Sequence, residues 1–486
     1  MRVLLIRPPW STEKFYFHGP REPLGLECLA SFIKDKHEVK IIDTAAKKWQ
    51  ESWHDPMFPE VTFQGMGLDQ IWSEIEAFNP DIIGLSWLLP TQTPGVELMF
   101  KLIRQRDSRI KIVVGGPNPS ANPRAIMTRY PEIDIVAYGE GEITLLELLD
   151  SKLSDLEKIN GIAFRRENEI IVNQPRELIK DLNILPLPLR DKESLLNFSR
   201  GLYYQSLDYW LKKIIPQKQL RGFFTALLSG FRPLNQFYYF LHNRKPRTDR
   251  LPFADIVTSR GCPNHCTFCA IHNTWGHYWR PRSAENVLKE IEILVEQYGI
   301  KHINFVDDNF NASRERVIAI CRGIVERGYD LTLSAPGIFV PTLNEEVLVW
   351  LKKAGMYSLR MSIESGNQNV LNNVIKKNVN LVQIAEAVKI CRKIGMHNEG
   401  CFILGVPGET IQTMKDTIAY SKDTGFDRVV KFIYQPFPNT VLYDICVAKG
   451  YLSADYDPNR LYVTGNQCYV QTEEFSPSDV LRLARE

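Results

Sequence analysis

TSRGCPNHCTFCAIHN, residues 258–273, follows the apolar run Phe253–Val257 and gathers three cysteines in one loop. Cys262, Cys266 and Cys269 stand in the spacing C-x3-C-x2-C. Thiolates are soft ligands suited to iron–sulfur clusters or zinc. Three of them so close can hold three corners of a four-iron cluster and leave the fourth iron open. An open iron can bind a substrate, whereas a fourth cysteine would leave a cluster fit mainly for electron transfer. The competing assignment is a zinc knuckle with His265 or His272 as fourth ligand. Closed zinc sites usually use two ligand pairs, and no second CxxC or HxxxH pair occurs. A disulfide framework lacks partners, because Cys28, Cys321, Cys391, Cys401, Cys446 and Cys468 are scattered singly. Cys262, Cys266 and Cys269 are therefore the expected metal ligands.

From Phe253 onward the pattern repeats. Strand signals fall at 253–258, 302–306, 331–334, 359–363, 401–404 and 429–434. Helical patterns lie at 284–298, 314–327, 345–353, 382–394, 410–424 and 440–449. Six βα units over residues 251–450 predict a partial (β/α)6 barrel, with its active site at the carboxyl ends of the strands. The cysteine loop follows the first strand. Asp307-Asp308-Asn309 follows the second, Ser362-Ile363-Glu364-Ser365-Gly366 ends the fourth, Gly405-Val406-Pro407-Gly408-Glu409-Thr410 the fifth and Gln435–Thr440 the sixth. Carboxylates suit hydroxyl and ammonium groups, and glycine turns let a flat ligand meet backbone.

Residues 1–150 alternate short apolar runs (3–6, 39–42, 82–87, 110–114, 133–137) with amphipathic stretches. They predict an α/β, doubly wound parallel sheet, which binds ligands where the strand order switches. Candidate contacts are Ser86 and Leu88 after the third strand, Gly115-Gly116 after the fourth, and Gly139-Glu140 after the fifth. A Gly-Gly in isolation is more often only a turn.

Residues 151–250 connect the two lobes through a hairpin turning at Glu167-Asn168, an extended Leu-Pro-Leu-Pro run and an insert over 197–250. The insert interleaves aromatics such as Tyr203, Trp210 and Phe223 with Lys212, Arg221 and Arg247. A helical cap packed on the barrel is preferred there over a peripheral membrane contact, because inserts in compact domains usually pack. Residues 451–486 are expected to close the barrel's open side. The helical pattern running into Arg485-Glu486 predicts that the natural chain continues.

The 486 residues suffice for about two to four domains. A net charge of +2 gives no reason to expect nucleic acid. No apolar run approaches the roughly 20 residues of a membrane span, and nine unpaired-looking cysteines point to a reducing cytoplasm.

The cysteine spacing resembles the radical S-adenosylmethionine (SAM) superfamily. That resemblance implies a [4Fe–4S] cluster whose open iron is chelated by SAM. It also implies that Asp307 or Asp308 faces the methionyl amine, that Ser362 and Glu364 hold the ribose, and that Gly405 and Phe268 flank the adenine. The second-strand stretch departs from the superfamily's more usual Gly-Gly-Glu. The S-x-L and G-G strand ends, with RPPW, PLGLECLASFI and YGEGE, resemble the cobalamin-binding domain fused to such enzymes. The D-x-H-x-x-G element that supplies a cobalt-ligating histidine is absent, and His18 and His37 stand in no such context. Bound cobalamin without a protein histidine is preferred; the alternative is a domain that has lost it and shapes the site.

The resemblance implies a cobalamin-dependent C-methyltransferase acting on an unactivated carbon of a small molecule, lipid-like if the insert meets a membrane. An electron donor such as flavodoxin or ferredoxin is implied with it. Cyclisation or rearrangement without methyl transfer, and a non-catalytic metal- or cobalamin-binding scaffold, are the alternatives.

Overall fold

The computed structural model describes residues 1–13, 21–167, 169–199, 252–459, 461 and 467–486. The aromatic and basic run of the insert (200–250), His18 and Tyr462 lie outside them.

Ten strands form in the first 172 residues: β1 (Arg2–Arg7), β2 (Trp10–Glu13), β3 (Glu38–Asp43), β4 (Ser52–Trp53), β5 (Val61–Gln64), β6 (Ile82–Ser86), β7 (Lys111–Gly115), β8 (Ile135–Ala137), β9 (Ile162–Arg166) and β10 (Glu169–Val172). Seven make one sheet in the order β10-β9-β8-β7-β6-β1-β3. It is parallel from β3 to β8 and closes at one edge with the antiparallel hairpin β9-β10. The hairpin expected within the connecting segment is thus the edge of this sheet. β2, β5 and β4 form a small antiparallel sheet that no periodicity announced.

Strand side chains alternate between two cores. Leu4 and Ile6 pack with the helices Leu68–Phe78 and Thr93–Arg106, while Val3 and Leu5 pack with Leu24–Ile33 and Gly141–Asp150. Burial on both faces is why these strands read as unbroken apolar runs. The order switches between β1 and β6, the crevice where such sheets take ligands.

The second lobe holds β11 (Phe253–Ile256), β12 (Ser259–Arg260), β13 (Arg280–Pro281), β14 (His302–Phe305), β15 (Thr332–Ser334), β16 (Ser358–Glu364), β17 (His397–Leu404) and β18 (Arg428–Ile433). Parallel triplets β11-β14-β15 and β16-β17-β18 are joined by single bridges at Leu333–Met356 and Ile338–Met361. These six strands and the helices between them start and stop within a few residues of the expected positions. One core runs through the first five strands and their helices, and Phe198 is buried in it. The terminal helix Pro477–Arg485, capped by Ser476, packs against β18. No helix among the described residues is long and apolar enough to cross a membrane.

Buried ion pairs lock the lobes together. Arg260 donates to Glu140 (2.8 Å) and Glu142 (2.5 Å), and Arg280 reaches Glu140 at 2.9 Å. Arg190 pairs with Glu22 and, at 2.6 Å, with Glu290, which also holds Arg282. Burying so many charges is costly, and it is tolerated only because each one meets an opposite partner.

Candidate active site at the barrel mouth

The short antiparallel pair β12-β13 closes the base of the cysteine loop. Gly261 enters it at φ +81, and a Cβ there would lie 2.1 Å from the Tyr278 carbonyl oxygen, so only glycine fits. Its amide donates to Asp308 Oδ2 at 3.0 Å. Between the second and third cysteines, Thr267 donates its amide to Ile375 O (3.0 Å) and its hydroxyl to Val374 O (2.8 Å). The amide of Leu442 donates back to Thr267 O. The loop is therefore held from three places at once: the segment after β14, the π-helix Val370–Ile375 and the helix Val441–Lys449.

Burial pushes the Cys266 thiol up to about 12 and the Cys269 thiol up to about 11. A metal must displace those protons to bind. The nearby Lys377 ammonium opposes this rise at Cys266. Asn264 and Asn309 point their amide nitrogens at Cys262 Sγ, at 3.3 and 3.6 Å. Cationic and N–H groups around thiolates suit an anionic cluster, so the donor set fits. No three His, Cys, Asp or Glu side chains among the described residues converge on a single-ion site. Corner ligands of a four-iron cluster bind separate irons and need not converge. His265, His272 and His277 stack ring on ring, with 4.1 and 3.8 Å between neighbouring centroids, and so present faces to one another.

The two aspartates after β14 separate. Asp307 is consumed by the Thr258 amide and hydroxyl and the Ser259 hydroxyl, tying the segment after β14 to the start of β12. It therefore does not serve as the open amine ligand expected of it. Asp308 reaches the cysteine loop, and burial raises its carboxyl to about 6. Asn309, unassigned by the sequence, is 3% exposed and its Oδ1 has no hydrogen-bond partner among the described residues.

Glu364 ends β16 at φ +79, beside a register shift that begins at Ser362. Such backbone strain in a non-glycine residue concentrates at functional sites. Its carboxylate pairs with Lys377 Nζ at 2.7 Å, both side chains buried. Burial alone would lower the Lys377 ammonium, but Glu364 and Cys266 more than offset it and hold it above its usual value. Lys377 is delivered by the π-helix Val370–Ile375, whose last carbonyls hold Thr267. No sequence signal marked this lysine, which lies past the π-helix outside every strand-end motif and meets Glu364 only in the fold.

Phe268 packs in the same apolar cluster as Leu404, Val406 and Val480. The Gly405 amide turns into its own loop: it donates to Glu409 Oε2 at 2.8 Å, as Val406 does at 3.1 Å. Burial lifts the Glu409 carboxyl to about 8. With an unfolded value of 4.5, its contribution to stability is full below pH 4.5 and is lost as pH rises through 8. Glu409→Gln should remove that loss, on the order of 1.4 kcal/mol per pH unit across the window. Urea unfolding of both proteins at pH 5 and 8 checks this; parallel profiles would refute it.

The N-terminal sheet turns its strand ends toward this loop. The segment after β7 (Pro117–Ala121) packs against His272–Trp275, and Asn439 donates to the Ala121 carbonyl. Ser86 ends β6, Leu88 is 44% exposed beyond it, and Gly115 ends β7. Gly116, at φ +118, would put a Cβ 2.6 Å from Trp87 O, so packing between strand ends already demands this glycine. Gly139 lies in open space, its amide donating to Ser120 Oγ at 3.1 Å. Glu140, expected at the cofactor, instead has both oxygens taken by Arg260, Arg280 and the Ile179 amide, leaving none for a cofactor. Thr93 Oγ1 and Asn118 Nδ2 are buried beyond β6 and β7 without partners among the described residues. Those two polar atoms and the exposed Leu88 fit a large amphipathic cofactor at the carboxyl ends of β6 and β7.

The chain matches the radical SAM superfamily over residues 256–420 and the B12 binding domain over residues 16–149. It is 30% identical to an uncharacterised methyltransferase of Pyrococcus horikoshii, over 93% of this chain and 84% of that one. It is 28% identical to cytidylyl-2-hydroxyethylphosphonate methyltransferase of Streptomyces wedmorensis, over 95% and 84%. The fold is shared with the radical SAM methyltransferase TsrM of Kitasatospora setae, with a TM-score of 0.68 at 17% identity, covering 94% and 79% of the two chains. Two domains matched in the order that the two lobes follow, and a relative alike across nearly the whole length, leave one conclusion: this chain is an enzyme of the radical SAM family that carries an N-terminal B12-binding domain, the family of its methyltransferase relatives.

Proposed function

We propose that the protein methylates an unactivated carbon of a small molecule in the cytoplasm. The observation that carries this reading is the packing of Pro117–Ala121 on His272–Trp275, which sets the carboxyl end of β7 against the segment that follows the cysteines. When bound, the cluster with SAM supplies a 5′-deoxyadenosyl radical, and cobalamin supplies the methyl group.

Cys262, Cys266 and Cys269 hold three irons. Asn309 Oδ1 accepts from the ammonium of SAM, a buried acceptor meeting a donor. Lys377, already beside Cys266, offers its ammonium to the SAM carboxylate. Glu364, paired to the same lysine, turns its carboxylate to the ribose with Ser362 alongside. Phe268, Leu404 and Val406 give the adenine an apolar wall, on a loop that Glu409 holds shut. Ser86, Leu88, Thr93 and Asn118 line the cobalamin side. Exposed His265, His277 and Tyr278 mark the face where a flavodoxin- or ferredoxin-like donor reaches the loop.

Anaerobically reconstituted protein should bind about four irons and about one cobalt per chain. With reductant it should cleave SAM to 5′-deoxyadenosine and pass label from methyl-labelled SAM into product. Absence of SAM cleavage would defeat the enzyme reading. Cleavage with a product of unchanged carbon count would replace methyl transfer by cyclisation or rearrangement.

A further inference from the structure

The three cysteines sit in unequal surroundings. Cys266 faces the Lys377–Glu364 pair, and Cys269 takes a backbone amide from Ile271. Cys262 alone among the three, within the described residues, is approached by side-chain amides, Asn264 at 3.3 Å and Asn309 at 3.6 Å. A sulfur accepts but an amide oxygen cannot donate, so the NH2 end must face Cys262. This orientation leaves Oδ1 of Asn309 directed elsewhere, in agreement with its lack of a partner among the described residues.

Asn309 is held in place by its backbone and its neighbours. Its carbonyl accepts from Trp279 Nε1 at 2.9 Å and from Ser259 Oγ at 3.4 Å. Before it, Asp307 is bound to Thr258 and Ser259. After it, Phe310 stacks on Phe305 at 4.3 Å, and Asn311 spans to Phe339 and Thr342. Asp307, Phe310 and Asn311 thus anchor the stretch to the barrel, Asp308 holds the Gly261 amide of the cysteine loop, and Asn309 is the side chain of the five that reaches a cysteine sulfur. A rigid mount of that kind keeps an N–H at a fixed distance from the sulfur.

We infer that Asn309, with Asn264, sets the reduction potential of the cluster by donating to Cys262 Sγ. An N–H bonded to a cluster thiolate withdraws charge and favours the reduced state, so it raises the potential. Reduction then lies within reach of a weaker donor. Asn309 acts here as a positioning and tuning residue, through Cys262. The inference rests on the proposed ligation of the cluster by the three cysteines.

The test is a potentiometric titration of reconstituted protein without SAM, followed by the electron paramagnetic resonance signal of the reduced cluster, with iron counted in each sample. Parent protein with about four irons secures the ligation; its failure to bind them would overturn the ligation and this inference with it, whereas an unmoved midpoint in iron-replete variants overturns this inference alone. In Asn309→Leu the reduced-to-oxidised ratio at a fixed potential should fall about tenfold, a midpoint lower by about 59 mV for one electron. Asn264→Ala, on a half-buried loop side chain, should lower the ratio about threefold, and it supplies the same comparison should Asn309→Leu lose iron. The double variant should lower it by the product of the two. A merely structural asparagine would change iron retention and leave the midpoint alone. A change under about twofold in an iron-replete variant would overturn the inference.

Discussion

Cys266→Ala is expected to reduce bound iron from about four per chain to well under one and to abolish 5′-deoxyadenosine formation. The three thiolates come from one loop pinned by Gly261, Thr267 and Leu442, so their entropy of assembly is already met. Removing one leaves two anchors for a four-iron body. Burial also holds the remaining Cys269 thiol up to about 11, so only a well-seated metal draws off its proton. Cys321→Ala provides the comparison, because that thiol is buried in the barrel core far from the loop in sequence and serves only as packing. It should keep its iron. A Cys266→Ala protein that still binds about four irons would refute the assignment of this cysteine.

Arg260→Met should destabilise the protein by about 3–5 kcal/mol, because it strands a buried carboxylate while leaving the volume filled. Glu140 retains Arg280 and the Ile179 amide, but Glu142 takes its side-chain bonds from Arg260 alone among the described residues. In the parent, burial by itself would raise the Glu142 carboxyl; Arg260 overcomes this and holds it below its usual value. A carboxyl lowered on folding adds stability above its unfolded value of 4.5, and that stability is lost as pH falls through the folded value. The defect of Arg260→Met should therefore be largest at neutral pH and shrink on acidification below about 4.5. Chemical denaturation at pH 7 and pH 4 measures both. Adding Glu142→Gln should restore part of the loss at pH 7, since it removes the stranded charge. A loss under about 1 kcal/mol at pH 7 would mean that the pair does not join the lobes in the way its burial indicates.

Much of this architecture is local and so was open to a reader of the chain. Strand and helix positions of the barrel follow from apolar periodicity, and β14, β16, β17 and β18 lie within about four residues of their expected ends. The parallel sheet of the first lobe follows from apolar runs buried on both faces, and the cysteine loop from its spacing. None of these depends on what a residue meets across the fold.

What the tertiary structure decided is the pairing of groups far apart in the chain. Glu140 and Arg260 are 120 positions apart, and YGEGE, read as a cofactor edge, became the seam between lobes once Arg260 and Arg280 closed on it. Asp307 and Asn309 are near neighbours in one run, yet one is spent on Thr258 and Ser259 and the other faces Cys262. The hairpin β9-β10 reads as a hairpin anywhere, and only its partner β8 makes it the edge of a sheet. Lys377 gains its meaning from a π-helix and from Glu364. Sequence periodicity sets which elements form because it acts over a few residues. Buried charge must find its opposite wherever the packing brings one, and that choice exists only in the folded chain.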